Sequence, residues 1–124
     1  MKFYRCSHCH NLVVVLYDGG VTPRCCGDDM DILQAGVTDG AVEKHVPVVS
    51  RDGNKVTVKI GSEPHPMTPE HHVEWIAIEY DNKYQIAKLS DADMPEATFV
   101  VDSNSPITAY EHCNLHGLWK SDAV

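Results

Sequence analysis

Four of the five cysteines lie in the first 26 residues, as Cys6-x-x-Cys9 and as the adjacent pair Cys25 and Cys26. Two cysteine pairs separated by fifteen residues are a strong signature of one tetrahedral metal site, which suits zinc or a single iron. Neighbouring side chains on a strand point to opposite faces, so both members of the second pair reach one metal only if the backbone turns there. Gly27 can adopt a positive φ and permits that turn. Spacing alone leaves zinc and iron open.

A second set of possible ligands is spread over three later segments. They contain one cysteine and several histidines: His45 in EKHVP, His65, His71 and His72 in SEPHPMTPEHHVEW, and Cys113 and His116 in CNLHGLW. A cysteine and a histidine three residues apart can chelate one ion. Loops on a rigid β-scaffold commonly carry functional sites. These segments therefore predict a second metal site, provided that the loops meet at one end of the fold.

These residues are also compatible with solvated histidines, a blue-copper site or a zinc site. A single histidine in a loop is more often a surface or hydrogen-bonded side chain, and the clustering with Cys113 is what favours a metal. A blue-copper site is the nearest rival, but it usually needs a methionine after the Cys/His loop, and none follows Cys113. Five such ligands would over-supply a zinc ion. His8 and His10 are interpreted as solvated residues, since four thiolates already complete the first site.

The elements that must position these residues are strands. VPVVS and KVTVKI flank the turn RDGN, and EWIAIEY and YQIAKL flank DNK, so each pair is predicted to form a β-hairpin. ATFVVD and ITAYEH add two further strands. Val56, Val58 and Ile60 alternate and are predicted to face one way. No window of ten or more residues has a convincing helical period, so we predict an all-β chain with an antiparallel sandwich after residue 46.

The first segment is predicted to be a separate small module. The apolar run at residues 12–17, the turn at 18–20 and the CCG stretch at 25–27 predict a hairpin with a cysteine pair at each end. It is too short to bury a core by itself, so a metal would have to close it. The turn-rich residues 36–41 are a predicted linker. The predicted domains are therefore residues 1–36 and 37–124.

Composition excludes several classes of function. The formal net charge is −8, from 18 acidic and 10 basic residues, which argues against binding to nucleic acid. No apolar run approaches the roughly 18 residues that a membrane span needs. The N-terminus, MKFYRCSHCH, lacks the apolar core of a signal peptide, so a cytoplasmic location is expected. Five cysteines in such a chain point to metal or redox chemistry before disulfides.

Four segments of the sequence closely resemble, in order and spacing, the two-iron superoxide reductases known as desulfoferrodoxins: CSHC…CCG, EKHVP, HPMTPEHHVEW and CNLHGLW. The resemblance covers essentially the whole chain. It implies a desulforedoxin-like metal-knuckle domain followed by an immunoglobulin-like β-sandwich. It also implies iron in the first site, as an Fe(Cys)₄ centre held by Cys6, Cys9, Cys25 and Cys26.

For the second site the resemblance implies a second iron, with an axial Cys113 thiolate and four equatorial imidazoles: His45, His65, His71 and His116. One octahedral position would stay open. Glu43 would occupy it in the oxidised resting state, and Lys44 would favour an anionic substrate. In an extended chain Glu43 and His45 would share a side. His72 and His112 have no implied role and are interpreted as structural.

The implied activity is an oxidoreductase reaction that detoxifies superoxide, O₂⁻ + e⁻ + 2H⁺ → H₂O₂. Rubredoxin or a similar small carrier would donate the electron, and a homodimer is expected from the family. The main alternative is an electron-transfer protein that uses the Fe(Cys)₄ centre while the second site is slow or inactive. A structural zinc-binding module is a weaker third possibility. Metal content and the visible spectrum would separate the three.

Overall fold

Antiparallel strands make up nearly all of the regular structure, as the alternating sequence pattern predicts. The computed structural model describes residues 1–37 and 40–124 and divides into two units, Met1–Gln34 and Ala35–Val124. Thr38 and Asp39, within the predicted linker, lie outside the described residues. One short helix, α1 (Val42–His45), interrupts the β-structure of the described ranges. The all-β prediction is confirmed. None of the helices in the described ranges is long and apolar enough to span a membrane.

The first unit is built on a three-stranded antiparallel sheet with the order β2 (Leu12–Val15), β1 (Lys2–Arg5), β5 (Asp31–Ile32). A two-stranded pairing joins β3 (Arg24–Cys25) to β4 (Asp28–Asp29).

The predicted hairpin around residues 18–20 is wrong, because β2 pairs with β1 and not with the residues that follow it. Strand β1 offers a better partner, since Phe3 and Tyr4 are buried in that pairing. The stretch after the turn contains Pro23, which cannot donate to a ladder.

The second unit contains two antiparallel sheets. The first has the order β10 (Glu96–Val100), β7 (Lys55–Ile60), β6 (Pro47–Asp52). The second has the order β12 (Gly117–Lys120), β11 (Thr108–Cys113), β8 (Val73–Tyr80), β9 (Lys83–Lys88). Both predicted hairpins, β6–β7 and β8–β9, are confirmed. Strand β12 was not predicted from the sequence.

The core of the second unit lies between its two sheets. Val56, Val58 and Ile60 of β7 are at most 1% exposed, which confirms their predicted inward alternation. They share one apolar cluster with Ile76 and Ile78 of β8, so the sheets pack face to face as a sandwich. This rigid body carries the loops that supply the second set of candidate ligands.

A close backbone approach joins two of these loops. Gly61 follows β7 with a φ of +83°, and a Cβ placed there would lie 2.7 Å from Glu43 O and closer still to Glu63 O. Glu63 N–H donates to Glu43 O over 3.0 Å, and Gly61 N–H donates to Val46 O over 3.1 Å. A glycine is therefore required for the turn after β7 to lie against α1.

Candidate metal centres

The four cysteines of the first unit converge on one point. Their sulfur atoms all lie within 4.8 Å of one another, and the set is Cys6, Cys9, Cys25 and Cys26. The sulfurs of Cys9 and Cys25 are 3.6 Å apart, and those of Cys25 and Cys26 are 4.0 Å apart. A tetrahedral metal with bonds of about 2.3 Å to sulfur needs sulfur–sulfur separations of about 3.8 Å. The spacing therefore fits one tetrahedral ion.

The backbone turns that bring these sulfurs together follow from the local sequence. Cys6-x-x-Cys9 occupies the turn between β1 and β2, where Cys9 N–H points at Cys6 Sγ over 3.5 Å. At the other pair, Cys26 and Gly27 have φ values of 53° and 81°. The prediction that the chain turns at this pair, with Gly27 at positive φ, is confirmed.

The pKa values of the clustered cysteines indicate that a bound cation is needed for several of them to be thiolates at once. The hydrogen bond from Cys9 N–H lowers the pKa of the Cys6 thiol to about 6, whereas the hydrogen bond with the Cys9 sulfur raises the pKa of Cys26 to about 12. The Cys6 thiolate therefore forms readily, whereas hydrogen bonds between the sulfurs, and to a smaller degree the negative charge of a neighbouring sulfur, raise the pKa of Cys25 and Cys26. A bound cation lowers these pKa values.

The two histidines near the first cluster are solvent-exposed, as interpreted from the sequence. His8 forms an exposed ion pair with Asp28, with Nε2 and Oδ2 2.5 Å apart. This pairing raises the pKa of His8.

The second cluster draws its ligands from three segments of the second unit. His45 ends α1, His65 and His71 lie between β7 and β8, and Cys113 ends β11. The candidate ligand atoms of these four residues lie within 4.8 Å of one another. His116 completes the group, because its Nδ1 lies 3.0 Å from His45 Nε2 and 3.9 Å from Cys113 Sγ. The structure therefore brings together all five residues that the resemblance implies.

The four imidazoles are arranged as a pinwheel. Neighbouring ring centroids are 4.8–4.9 Å apart around the cycle of His45, His65, His71 and His116. Neighbouring rings are nearly perpendicular, with interplanar angles of 78–88°. His45 and His71 lie across the cycle at 6.3 Å and are closer to parallel, at 28°. This is the arrangement of four planar ligands around one central ion.

Unpaired nitrogens in this cluster provide the test of whether a metal fits. The Nε2 atoms of His65 and His71 are buried without a hydrogen-bond partner among the described residues. Burial lowers the pKa of both rings, that of His65 to about 4, and repulsion between the imidazoles adds to the effect. Neutral imidazoles with inward lone pairs are the state that metal binding requires. The donor set therefore fits a bound cation.

Two of the rings are held by hydrogen bonds from their outer nitrogens. His45 Nδ1 donates to Ala41 O, and His65 Nδ1 donates to Pro66 O, each over 2.7 Å. Such bonds fix the tautomer that leaves Nε2 free for a metal. His45 also stacks on Trp119, with ring centroids 4.9 Å apart.

The Cys113 sulfur lies in the interior of the second unit, beside the imidazole cluster. The residue is fully buried, and burial raises the pKa of its thiol, while hydrogen bonds from the backbone at Leu115 and His116 oppose that rise. A thiolate at this position therefore depends on a neighbouring cation.

The placement of Glu43 and Lys44 differs from the expectation for an extended chain. Val42–His45 form a single helical turn, so Glu43 and His45 lie about 200° apart around the helix axis and do not share a side. The expectation that the two side chains share a side was wrong because this segment is helical and not extended: Val46 N–H donates a hydrogen bond to Val42 O. Glu43 is exposed and outside the grouped ligand atoms. Lys44 is half-buried. Burial lowers the pKa of His71 most, the neighbouring imidazoles lower it further, and the positive charge of Lys44 makes a smaller contribution in the same direction.

The two histidines without an implied role have structural partners. His72 Nδ1 lies 2.9 Å from Thr68 O. His112 is 1% exposed, with Nδ1 2.6 Å from Glu74 Oε1, and it stacks on Trp75. Neither belongs to the pinwheel.

Glu111 was missed by the sequence analysis. It is fully buried, its two carboxyl oxygens have no hydrogen-bond partner among the described residues, and burial raises its pKa to about 9. It lies two residues before Cys113 on β11, so the two side chains share a face of the strand. A charged residue in a strand normally predicts an exposed side, and so no sequence signal could have found it.

Glu111→Gln should change how stability depends on pH. In the wild type the folded state keeps the carboxyl proton while the unfolded chain releases it above about pH 4.5, so stability falls as pH rises towards 9. Glutamine cannot titrate. The variant's free energy of unfolding minus that of the wild type should therefore rise with pH, by at most about 1.4 kcal/mol per unit. Urea denaturation from pH 5 to 8 measures this difference, and parallel curves would contradict it.

Comparison with known protein families accounts for both units. The family model described as "Desulfoferrodoxin, N-terminal domain" matches residues 1–33, and the one described as "Desulfoferrodoxin" matches residues 37–122. Together they span both cysteine and histidine clusters.

Individual relatives agree. The chain is 43% identical over 122 residues to a desulfoferrodoxin of Nitratidesulfovibrio vulgaris, an alignment that covers 98% of this chain and 96% of the relative. It is 36% identical over 110 residues to a superoxide reductase of Pyrococcus abyssi, covering 74% of this chain and 94% of that one. The crystal structure of the superoxide reductase from Treponema pallidum matches with a TM-score of 0.81 at 34% identity, covering 98% of each chain.

Proposed function

The chain belongs to the desulfoferrodoxin family, and from that premise we propose that it is a superoxide reductase that reduces superoxide to hydrogen peroxide. The chain has two iron sites. We assign the Fe(Cys)₄ centre to a domain at residues 1–36 and the catalytic iron to a domain at residues 37–124. Cys6, Cys9, Cys25 and Cys26 would hold the first iron.

The observation that carries the proposal is the pinwheel with the buried Cys113 sulfur beside it. Four imidazoles and one sulfur supply five donor atoms, which would leave a six-coordinate ion one position for a small ligand. His45, His65, His71 and His116 would hold the catalytic iron together with Cys113. The bound iron supplies the one-electron redox chemistry.

The residues of the chain shape the reaction around that ion. Cys113 would hold the iron through its sulfur, and the burial of this residue keeps water away from the sulfur lone pairs. Lys44, next to a ligand, attracts the superoxide anion. Glu43, at the exposed side of α1, is proposed to bind the resting oxidised site after a local rearrangement. The net reaction consumes one electron and two protons, O₂⁻ + e⁻ + 2H⁺ → H₂O₂.

The electron donor proposed for this reaction is rubredoxin or a similar small carrier. Cys9 and Cys26 are exposed residues, which leaves the first unit accessible to such a carrier. We further propose that the protein is a cytoplasmic homodimer that detoxifies superoxide.

The stoichiometry of the product tests the proposal. A reductase forms one hydrogen peroxide for each superoxide consumed, whereas a dismutase forms one for every two. The iron-loaded, pre-reduced protein should give the one-to-one ratio in pulse radiolysis, with two irons per chain. Slow or absent consumption of superoxide would favour the alternative, an electron-transfer protein working through its Fe(Cys)₄ centre.

Lys44→Ala should slow the second-order reaction with superoxide by about tenfold. The net charge of −8 opposes an anionic substrate, so attraction must come from a local cation. Added salt screens both this attraction and the global repulsion, and the variant should therefore respond more positively to ionic strength than the wild type does. Lys59→Ala, which removes a charge from strand β7, is the matched control. Equal rates and equal salt slopes in Lys44→Ala and wild type would rule out the role of Lys44.

A further inference from the structure

His71 differs from His45 and His65 in how its ring is held. His45 and His65 each donate from Nδ1 to a backbone carbonyl. For His71 Nδ1, no acceptor is found within residues 1–37 and 40–124, and its inward Nε2 is also unpaired there. The position of this ring therefore depends on the backbone that carries it.

The backbone that carries His71 forms a tight turn with hydrogen bonds between Thr68 and His71. Thr68 N–H donates to His71 O over 2.9 Å, and His71 N–H donates to Thr68 O over 3.2 Å. The Thr68 hydroxyl oxygen also lies 3.1 Å from His71 N. These hydrogen bonds all lie within the turn, so they do not fix its position relative to the other ligands of the metal centre.

Asn114 supplies that attachment from the opposite ligand loop. Its Nδ2 donates to Glu70 O over 3.0 Å, and its Oδ1 accepts from His72 N–H over 2.9 Å. Its backbone N–H donates to His72 O over 3.2 Å. One residue thus bonds to the neighbours on both sides of His71, while it directly follows Cys113 in the chain.

We propose that Asn114 is a positioning residue of the catalytic centre, which holds His71 at a fixed place relative to Cys113 and His116. The proposal rests on the ligand set proposed above. A primary amide suits the task because it carries a donor and an acceptor on one short planar group. Aspartate can only accept, and alanine can do neither.

The first test is the iron affinity of the second site. A ferrous chelator competes with the full-length, reduced protein, and the step from two irons per chain to one gives the affinity. Asn114→Ala should lower it by about 10- to 100-fold, the usual effect of removing a residue that orients a metal ligand. Asn114→Asp, which keeps the bond to His72 N–H, should lose less. Leu115→Ala, an exposed side chain in the same turn, is the control and should stay within about twofold.

The second test asks whether the effect passes through His71. In a His71→Ala background, Asn114→Ala should change the affinity by no more than about twofold, because nothing is left to position. In a His45→Ala background, which removes a ligand on α1, the loss of about tenfold or more should remain. Equal losses in both backgrounds, or no loss in the single variant, would overturn the proposal.

Hydrogen exchange provides a measurement that does not need the His71 variant to keep its iron. The His72 amide should exchange quickly in Asn114→Ala and stay protected in Asn114→Asp, in the same order as their affinities. A protected amide in Asn114→Ala would overturn the proposal. None of these measurements uses superoxide, so a failure here is distinguishable from a failure of the proposed activity.

Discussion

Cys113→Ser should abolish superoxide reduction at the second centre, with a loss of about 100-fold or more, which is about 2.7 kcal/mol of transition-state stabilisation. A hydroxyl at this fully buried position stays protonated and is a harder, weaker donor than a thiolate. The backbone hydrogen bonds at Leu115 and His116 can still reach the oxygen, so the loop should keep its shape. The change therefore isolates the chemistry of the sulfur from the geometry of its loop.

Pulse radiolysis and iron content measured on the same sample decide this prediction. Ser50→Ala, which changes an exposed side chain on β6 outside both ligand clusters, is the control and should react as the wild type does. Near-normal turnover by a Cys113→Ser protein that contains two irons would contradict the role assigned to the thiolate.

Cys25→Ser should remove the first iron while most superoxide reduction remains. The two ligand sets share no residue and belong to separate units, Met1–Gln34 and Ala35–Val124. The apolar cluster described for the first unit, Tyr4, Cys6 and Met30 with Val15 and Cys25 packed against it, is too small to fold without a metal. Amides of β1 should therefore lose protection from hydrogen exchange, whereas those of β7 and β8 should keep it.

The measurements for Cys25→Ser are iron per chain, which should fall from two to one, and the visible spectrum. His8→Ala changes an exposed residue outside the sulfur cluster and should retain both irons. Loss of the second centre's signal in Cys25→Ser would show that the two sites depend on each other.

Features that depend on short stretches of sequence could be predicted well. The β6–β7 and β8–β9 hairpins follow from alternation and turn residues, and the turn at Cys26 and Gly27 follows from the adjacency of two sulfurs and a glycine. The hairpin at residues 18–20 failed because β1, earlier in the chain, competes for β2 through the burial of Phe3 and Tyr4. Local signals do not reveal such a competitor.

By itself the sequence determined the types of ligand, their spacing within each segment and, through the resemblance, the two iron sites. The tertiary structure alone decided how the segments meet: the pinwheel, the helical turn at Val42–His45, the buried Glu111 and the bonds from Asn114 to the neighbours of His71. The physical reason is the distance along the chain over which each interaction acts. Turn preferences and alternation act over a few residues, whereas burial and hydrogen bonds between loops depend on residues that lie more than forty positions apart, as Asn114 and Glu70 do.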